Sequence, residues 1–172
     1  MTMMKYLLFF CFGFLLVHTS KAQNTSESFT VSGEVLKAET IGIAKLSDYA
    51  QVHLDSLRIY THDMLPKGLM KNINGVLLKD ILSAIPFNNE NPKMLSEYYI
   101  ECRATDGYLV LFSWNEIFNS ETGKHVMIIT NKNGTNAGQL DDRIALVSPT
   151  DQATGRRYVK WLNRIIIHRQ RT

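Results

Sequence analysis

Two alternating segments, residues 98–104 and 108–113, constrain the fold of this chain more than any other feature of its sequence. Apolar residues recur at every second position of the first segment, which is the period of a strand with one buried face. Asp106 and Gly107 lie between the segments, and glycine tolerates the positive φ that a tight turn demands. The pattern predicts a β-hairpin.

The same alternation predicts which side chains of the first strand are buried. Ile100, Cys102 and Ala104 share the apolar face, whereas Glu101 and Arg103 lie on the opposite face and are expected to be exposed. Cys102 is therefore predicted to be an inert core thiol rather than a nucleophile or a metal ligand.

A helix is predicted over residues 75–85, where leucines and isoleucines recur at helical spacing and Pro86 stops the run. Its phase buries Ile81 and exposes Lys79. Further strands are predicted at residues 29–35, 56–61, 124–130, 143–148 and 164–167. The stretch carrying His62, Asp63, Pro66 and Gly68 is predicted to be a loop, and residues 114–118 a helical turn.

About seven strands and two or three short helices, without strict βαβ alternation, predict an α+β fold with one mixed-sheet domain. The domain is assigned to residues 29–168, after a polar tail at residues 23–28. Hydrophobic residues make up 45% of the 172 and charged residues 20%, which excludes a disordered chain.

Residues 1–22 have the pattern of a secretory signal peptide. Lys5 precedes a hydrophobic run at residues 6–17, and Ser20 and Ala22 supply the small residues of a cleavage site. The alternative is a membrane anchor, but the run is shorter than the roughly 20 residues that a spanning helix needs. The sequence thus predicts an exported protein, periplasmic or secreted, with no integral membrane segment after cleavage.

Charge argues against nucleic acid as a partner. Two of the 19 basic residues, Lys5 and Lys21, belong to the predicted signal, so 17 basic residues face 16 acidic ones in the remainder. Such a near-neutral chain has no global basic footprint. Residues 23–172 also contain none of the common short catalytic motifs and no histidine pair with tight ligand spacing, so catalytic residues stay unknown and no metal site is predicted.

The most basic part of the sequence is residues 155–161, where Arg156, Arg157 and Lys160 follow Gly155. Guanidinium groups bind phosphate with two hydrogen bonds, and a lysine adds a point charge. The alternative is a solvated basic face beside a core tryptophan, Trp161.

Three segments together resemble the sulfite-oxidase-type molybdopterin-binding domain family. Residues 75–82 are similar to its G-V-P-L-x-x-L-L helix, and residues 104–110 to its A-x-D-G-Y hairpin. Residues 146–149 and 155–165 are similar to its L-V-x-P…G-x-R-x-V-K-W-L-x-x-I ending. The segments also agree in order and spacing, and the resemblance covers about residues 29–168.

The resemblance implies a mixed α+β domain whose active members bind the pyranopterin of the molybdenum cofactor, so molybdopterin is a candidate cofactor. Arg157 and Lys160 match the family's basic positions and become candidate phosphate contacts. Where the family places an arginine, this chain has Ala145, and Arg143 lies two residues earlier. The five candidate ligand-binding residues, expected around one concave site, are Arg157, Lys160, Arg143, His62 and Tyr158.

Two departures from the family pattern bear on function. Active members hold molybdenum through a cysteine after an early strand, and residues 57–63 contain none. Tyr158 replaces a small residue, and its ring could fill the space of a pterin. The leading hypothesis is therefore a non-catalytic module for a small anionic ligand. The alternatives are an oxidoreductase whose metal is bound by His62 or another ligand, and a cell-envelope interaction protein without a small-molecule ligand.

Overall fold

The computed structural model describes residues 26–87 and 91–170, and the predicted signal peptide lies outside the described residues. Two sheets with short helices make up this part of the chain. The strands are β1 (Ser28–Gly33), β2 (Glu39–Gly42), β3 (Gln51–Tyr60), β4 (Pro66–Leu77), β5 (Tyr98–Ala104), β6 (Leu109–Ser113), β7 (Met127–Lys132), β8 (Thr135–Asn136), β9 (Ala145–Val147) and β10 (Leu162–Arg169).

The helices are all short. The two α-helices are α1 (Leu78–Ser83) and α2 (Trp114–Phe118). The 3-10 helices are Ile43–Asp48, Pro92–Glu97, Thr122–Lys124, Ala137–Gln139 and Thr154–Arg157. Within the described residues, no helix has the length and apolar character needed to span a bilayer.

The first sheet is mixed and has the order β2-β1-β10-β5-β6. β1 pairs with β10 in parallel, and the other neighbouring strands are antiparallel. In the second sheet β3, β4, β7 and β8 follow one another, and β9 also pairs with β7. These mixed sheets and short helices confirm the predicted α+β class.

The main core combines the buried face of the first sheet with side chains of both α-helices and of β4, β7 and β9. It contains Ile81, Ile100, Cys102 and Ala104, so their predicted burial is confirmed. Burial raises the pKa of the Cys102 thiol far above its ordinary value, and the nearby Glu101 carboxylate adds to the effect. The thiol is thus held neutral, as an inert core cysteine should be.

The predicted exposure of three polar residues is wrong, because all three are half-buried. The Glu101 carboxylate lies 2.7 Å from Arg103 Nε, which makes an ion pair on the outer face of the sheet, and 3.3 Å from Nε2 of His168 on β10. The third residue, Lys79, lines a depression together with Ile117 of α2.

The largest difference from the sequence prediction is β4. Residues 66–77 form one long strand rather than a loop followed by the first turns of a helix, and α1 spans only Leu78–Ser83. β4 pairs with β3 on one side and with β7 on the other. At Gly75 a Cβ atom would lie 2.6 Å from the Ile128 carbonyl oxygen, so glycine permits this close approach to β7.

Candidate functional site

A cleft of about 480 Å³ opens where the start of β4, the β5–β6 turn and the chain after helix Thr154–Arg157 meet. Aromatic and apolar side chains form most of its wall, and three charged side chains lie among them. The lining residues are Ile59, Lys67, Gly68, Leu69, Met70, Asp106, Tyr108, Gly155, Tyr158, Lys160 and Trp161. Two of the three family-like segments, residues 104–110 and 155–165, thus meet at one cavity.

The β5–β6 turn is tied to the far wall of this cleft. Gly107 has a φ of 91°, which the tight turn requires, and the Tyr108 N–H donates to Asp106 Oδ1 at 2.9 Å. The Tyr108 hydroxyl then donates to the Arg156 carbonyl. This hydrogen bond joins the hairpin to helix Thr154–Arg157.

Helix Thr154–Arg157 is fixed against the end of β3. Thr154 Oγ1 accepts the Tyr60 N–H at 2.9 Å and donates to the Arg58 carbonyl at 2.8 Å. A Cβ at Gly155 would come within 2.7 Å of the Tyr60 carbonyl oxygen, so a side chain there would push the helix off the strand. The glycine of the G-R-R-Y-V-K-W segment therefore serves a close backbone contact.

Tyr158 is held in the cleft wall by a buried ion pair. Lys132 Nζ lies 2.5 Å from Asp142 Oδ2 and 2.7 Å from the Tyr158 hydroxyl, which itself donates to Asp142. The Lys132 and Asp142 side chains are only 13% and 6% exposed. Burial, together with the hydrogen bond and charge of Asp142, raises the pKa of Tyr158 far above its ordinary value, so the phenol stays protonated.

Lys160 and Trp161 follow Tyr158 on the same wall. Lys160 Nζ lies 5.4 Å from the centre of the Tyr158 ring, within range of a cation–π contact. Trp161 has a left-handed φ of 52°, and its N–H donates to the Asp142 carbonyl at 3.0 Å. Its indole Nε1–H donates to the Asp141 carbonyl at 2.7 Å.

The charge of the cleft comes from two lysines and one carboxylate. Lys67 and Lys160 are exposed at its rim with Asp106. Within residues 26–87 and 91–170, neither lysine forms a salt bridge. Both ammonium groups are therefore free to meet an anion that enters the cleft.

Arg157 lies elsewhere and is engaged with two carboxylates. Its Nε and Nη2 lie 2.7 and 2.6 Å from Asp151, its Nη1 lies 3.0 Å from Glu116, and its guanidinium carbon is 4.4 Å from the Phe112 ring centre. The hydrogen bond to Asp151 outweighs burial and raises the pKa of Arg157. Burial of Glu116 opposes its ionisation, but the Ser113 backbone and Arg157 outweigh it and lower the pKa of Glu116.

Arg143 and His62 are also absent from the lining of the cleft. Arg143 adopts a φ of 48° and donates to the Gly138 carbonyl, with Glu27 at 3.7 Å. His62 is exposed between β3 and β4, with Nε2 2.9 Å from Asp63. Of the five candidate residues, the structure brings only Lys160 and Tyr158 to this cleft, and the ligand-binding role of the other three stays a prediction.

Sequence reasoning missed several residues of the cleft. Lys67 and Met70 lie outside any predicted strand, because the pattern predicts a loop as far as Gly68 and a helix from Gly75 and no element between them. Asp106 and Tyr108 were used only as turn residues, although they belong to a family-like segment that could have flagged them. Trp161 is a core residue in one of the two interpretations of the basic segment, and its left-handed backbone is not visible in a pattern of side chains.

The two sheets and their connections form a mixed α+β fold. No family model matches the chain, and no curated protein matches it. A solved structure with this fold is the sulfane dehydrogenase SoxCD from Paracoccus pantotrophus, at a TM-score of 0.61 and 15% identity. The match covers 86% of this chain and 39% of the SoxCD chain, and at this identity it shows the fold alone.

The residues of this chain do not fit a thiolate-bound molybdenum centre. The one cysteine in the described part, Cys102, is fully buried in the main core with a raised pKa. Across residues 26–87 and 91–170, no three His, Cys, Asp or Glu side chains come together as a metal site. The Tyr158 ring, anchored by Lys132 and Asp142, also occupies part of the cleft wall. We therefore derive no chemistry through that cofactor.

Proposed function

We propose that this protein is an exported, non-catalytic module that binds a small anionic ligand, of the pterin- or nucleotide-phosphate type, in the 480 Å³ cleft. The observation that carries the proposal is two lysines, Lys67 and Lys160, that form no salt bridge within the described residues and lie on a wall otherwise rich in aromatic rings. An ammonium group gains a charge-assisted hydrogen bond from a phosphate oxygen, and the faces of Tyr108 and Trp161 suit a planar ring.

The positions of the charged side chains indicate which part of such a ligand each side of the cleft would bind. Lys160 lies against the Tyr158 ring, so its ammonium is held near the wall instead of moving freely in solvent. Asp106 adds a hydrogen-bond acceptor at the hairpin turn and can receive the N–H groups of a heterocycle. The proposed ligand therefore combines an anionic group for the lysines with a planar, hydrogen-bonding ring.

Replacing Lys160 by alanine is expected to weaken phosphate binding about ten- to a hundred-fold, the equivalent of one charge-assisted hydrogen bond of about 1.5–3 kcal/mol. Calorimetric titration with guanosine monophosphate and with inorganic phosphate measures the change. Raised salt should weaken binding to the unsubstituted protein, since part of the attraction is screened.

The matched control is Lys71→Ala, which removes an exposed lysine of the same strand as Lys67 but outside the cleft. It should leave the affinity unchanged. Equal losses in the two variants would mean that the lysines act only through overall charge. If neither probe binds at millimolar concentration, the proposal fails in favour of an interaction protein without a small-molecule ligand.

The competing hypothesis of a molybdenum-dependent oxidoreductase is tested on protein purified from a cofactor-producing host. Elemental mass spectrometry and the fluorescence of oxidised pterin would both be positive if the enzyme hypothesis held. We expect no molybdenum, because the described residues offer neither an accessible thiolate nor a clustered set of metal ligands.

Export is proposed from residues 1–22 and is tested separately. N-terminal sequencing of the protein from its native host should begin at or near Gln23. A protein that retains Met1 would contradict export.

A further inference from the structure

The outer edge of β6 has no strand partner among the residues that the structure describes. Within the described residues, β6 pairs only with β5, and the Ala104 N–H donates to the Tyr108 carbonyl at 2.8 Å. In an antiparallel ladder, hydrogen-bonded pairs alternate with non-bonded pairs, so Leu109 and Leu111 fall in the non-bonded pairs with β5. The N–H and C=O groups of these two leucines therefore point away from the sheet.

The edge strands β2 and β3 differ from β6 in length or in charge. β2 is four residues long and its Glu39 is paired with Lys45. β3 carries the polar, titratable side chains of His53, Asp55 and Arg58 along its length. Charges and short length are the usual features that keep edge strands from pairing with other chains.

β6 has no such protection. Its sequence, Leu-Val-Leu-Phe-Ser, contains no charge and no proline. The side chains of Leu109 and Leu111 lie on the outer face and are 38% and 51% exposed. An uncharged edge with exposed leucines is the kind that pairs with a strand from another chain.

We propose that β6 pairs antiparallel with β6 of a second copy of this chain, about a two-fold axis at Val110. In that register Leu109 of each copy faces Leu111 of the other. Leu109 and Leu111 of the two copies supply four outward N–H groups and four outward C=O groups. In this register each N–H donates to a C=O of the other copy. The two first sheets would join into one continuous sheet of ten strands.

A second copy fits this edge because the strand is complementary to itself. Each exposed leucine meets a leucine, and no like charges face each other across the axis. The paired segment would end before Ser113, because the outward N–H of Ser113 already donates to Glu116 Oε2 at 2.8 Å. Two short edges bury little surface, so the expected dimer is weak and concentration-dependent.

Sedimentation equilibrium of the purified protein over a wide concentration range tests the association. We expect a monomer–dimer equilibrium, and Leu111→Lys should weaken the dimer at least ten-fold, because each copy then places a charge opposite Leu109 of the other and the two charges lie on the same face across the axis. Leu36→Lys is the matched control, since Leu36 is 70% exposed and lies outside β6. A protein that stays monomeric at millimolar concentration, or a dimer that Leu111→Lys leaves intact, would overturn the proposal.

Disulfide trapping tests the register itself. Leu109→Cys and Leu111→Cys variants, mixed and oxidised, should give a covalent dimer of the two, because positions 109 and 111 face each other. Each variant alone should cross-link poorly, since identical positions are then diagonal neighbours about 7–8 Å apart. Efficient cross-linking of either variant alone would rule out this register. Neither test depends on ligand binding, so its outcome is independent of the proposed function.

Discussion

Asp142→Ala should lower the free energy of unfolding by about 3–5 kcal/mol, because it leaves the Lys132 ammonium buried without its carboxylate. The Tyr158 hydroxyl loses the same acceptor. For a domain of this size, the loss corresponds to a fall in melting temperature of about 6–20 °C. Thermal and denaturant unfolding followed by circular dichroism measure the change.

Asp141→Ala provides the control, since the Asp141 side chain is exposed and only its backbone carbonyl has a role, as acceptor for Trp161. It should change stability by less than about 0.5 kcal/mol. The double variant Lys132→Met/Asp142→Leu should regain much of the lost stability, because it removes both buried charges at similar volume. Equal effects of Asp141→Ala and Asp142→Ala would contradict the structural role of the pair.

Arg157→Ala should also destabilise the protein, by about 2–4 kcal/mol. The arginine side chain is 20% exposed and joins Asp151, Glu116 and the Phe112 ring. The neighbouring Arg156→Ala is the control, because Arg156 contributes its carbonyl but its side chain is exposed. Melting curves of the two variants should differ by several degrees.

The same variant separates a structural role for Arg157 from a ligand-binding role. If Arg157 only supports the fold, phosphate affinity at a temperature well below melting should stay close to that of the unsubstituted protein. A variant that loses phosphate binding while keeping its melting temperature would instead restore Arg157 as a ligand contact.

The pH dependence of stability should also respond to Arg157. The pKa of Glu116 is lower in the folded protein than its unfolded value of about 4.5. The ionised carboxylate therefore stabilises the fold above that pH, and this stabilisation is lost as the pH falls through the folded pKa. Arg157→Ala removes one cause of the lowered pKa. Its unfolding free energy should therefore fall less steeply below pH 4.5 than that of the unsubstituted protein.

Local pattern was sufficient to predict the β5–β6 hairpin, because one buried face and one turn are both encoded within sixteen consecutive residues. It was insufficient for β4, whose apolar end at Val76 and Leu77 continues into α1 without a break in hydrophobicity. Periodicity cannot separate a buried strand from a helix in so short a run. The strand conformation of residues 66–77 depends on pairing with β3, across a turn, and with β7, about fifty residues later in the chain.

The candidate site was also predicted only in part from the sequence. The basic segment after Gly155 was predicted to hold functional residues, and Lys160 does line a cleft. The separation of Lys160 from Arg157 was not predictable, because it depends on where Asp151 and Glu116 lie and on the left-handed backbone at Trp161. Lys67 reaches the same cleft from a strand that is ninety residues earlier, and only the fold brings it there.

The parallel pairing of β1 with β10 has a consequence for how the chain matures. β10 lies between β1 and β5, so within the described residues the β1–β2 pair is joined to the rest of the first sheet by residues 162–169 alone. During synthesis, the β1–β2 pair therefore joins the sheet only after the carboxyl-terminal strand has been made. Closure of that sheet is a late, long-range event, and Phe29, Val31 and Ile41 are buried fully only when it occurs.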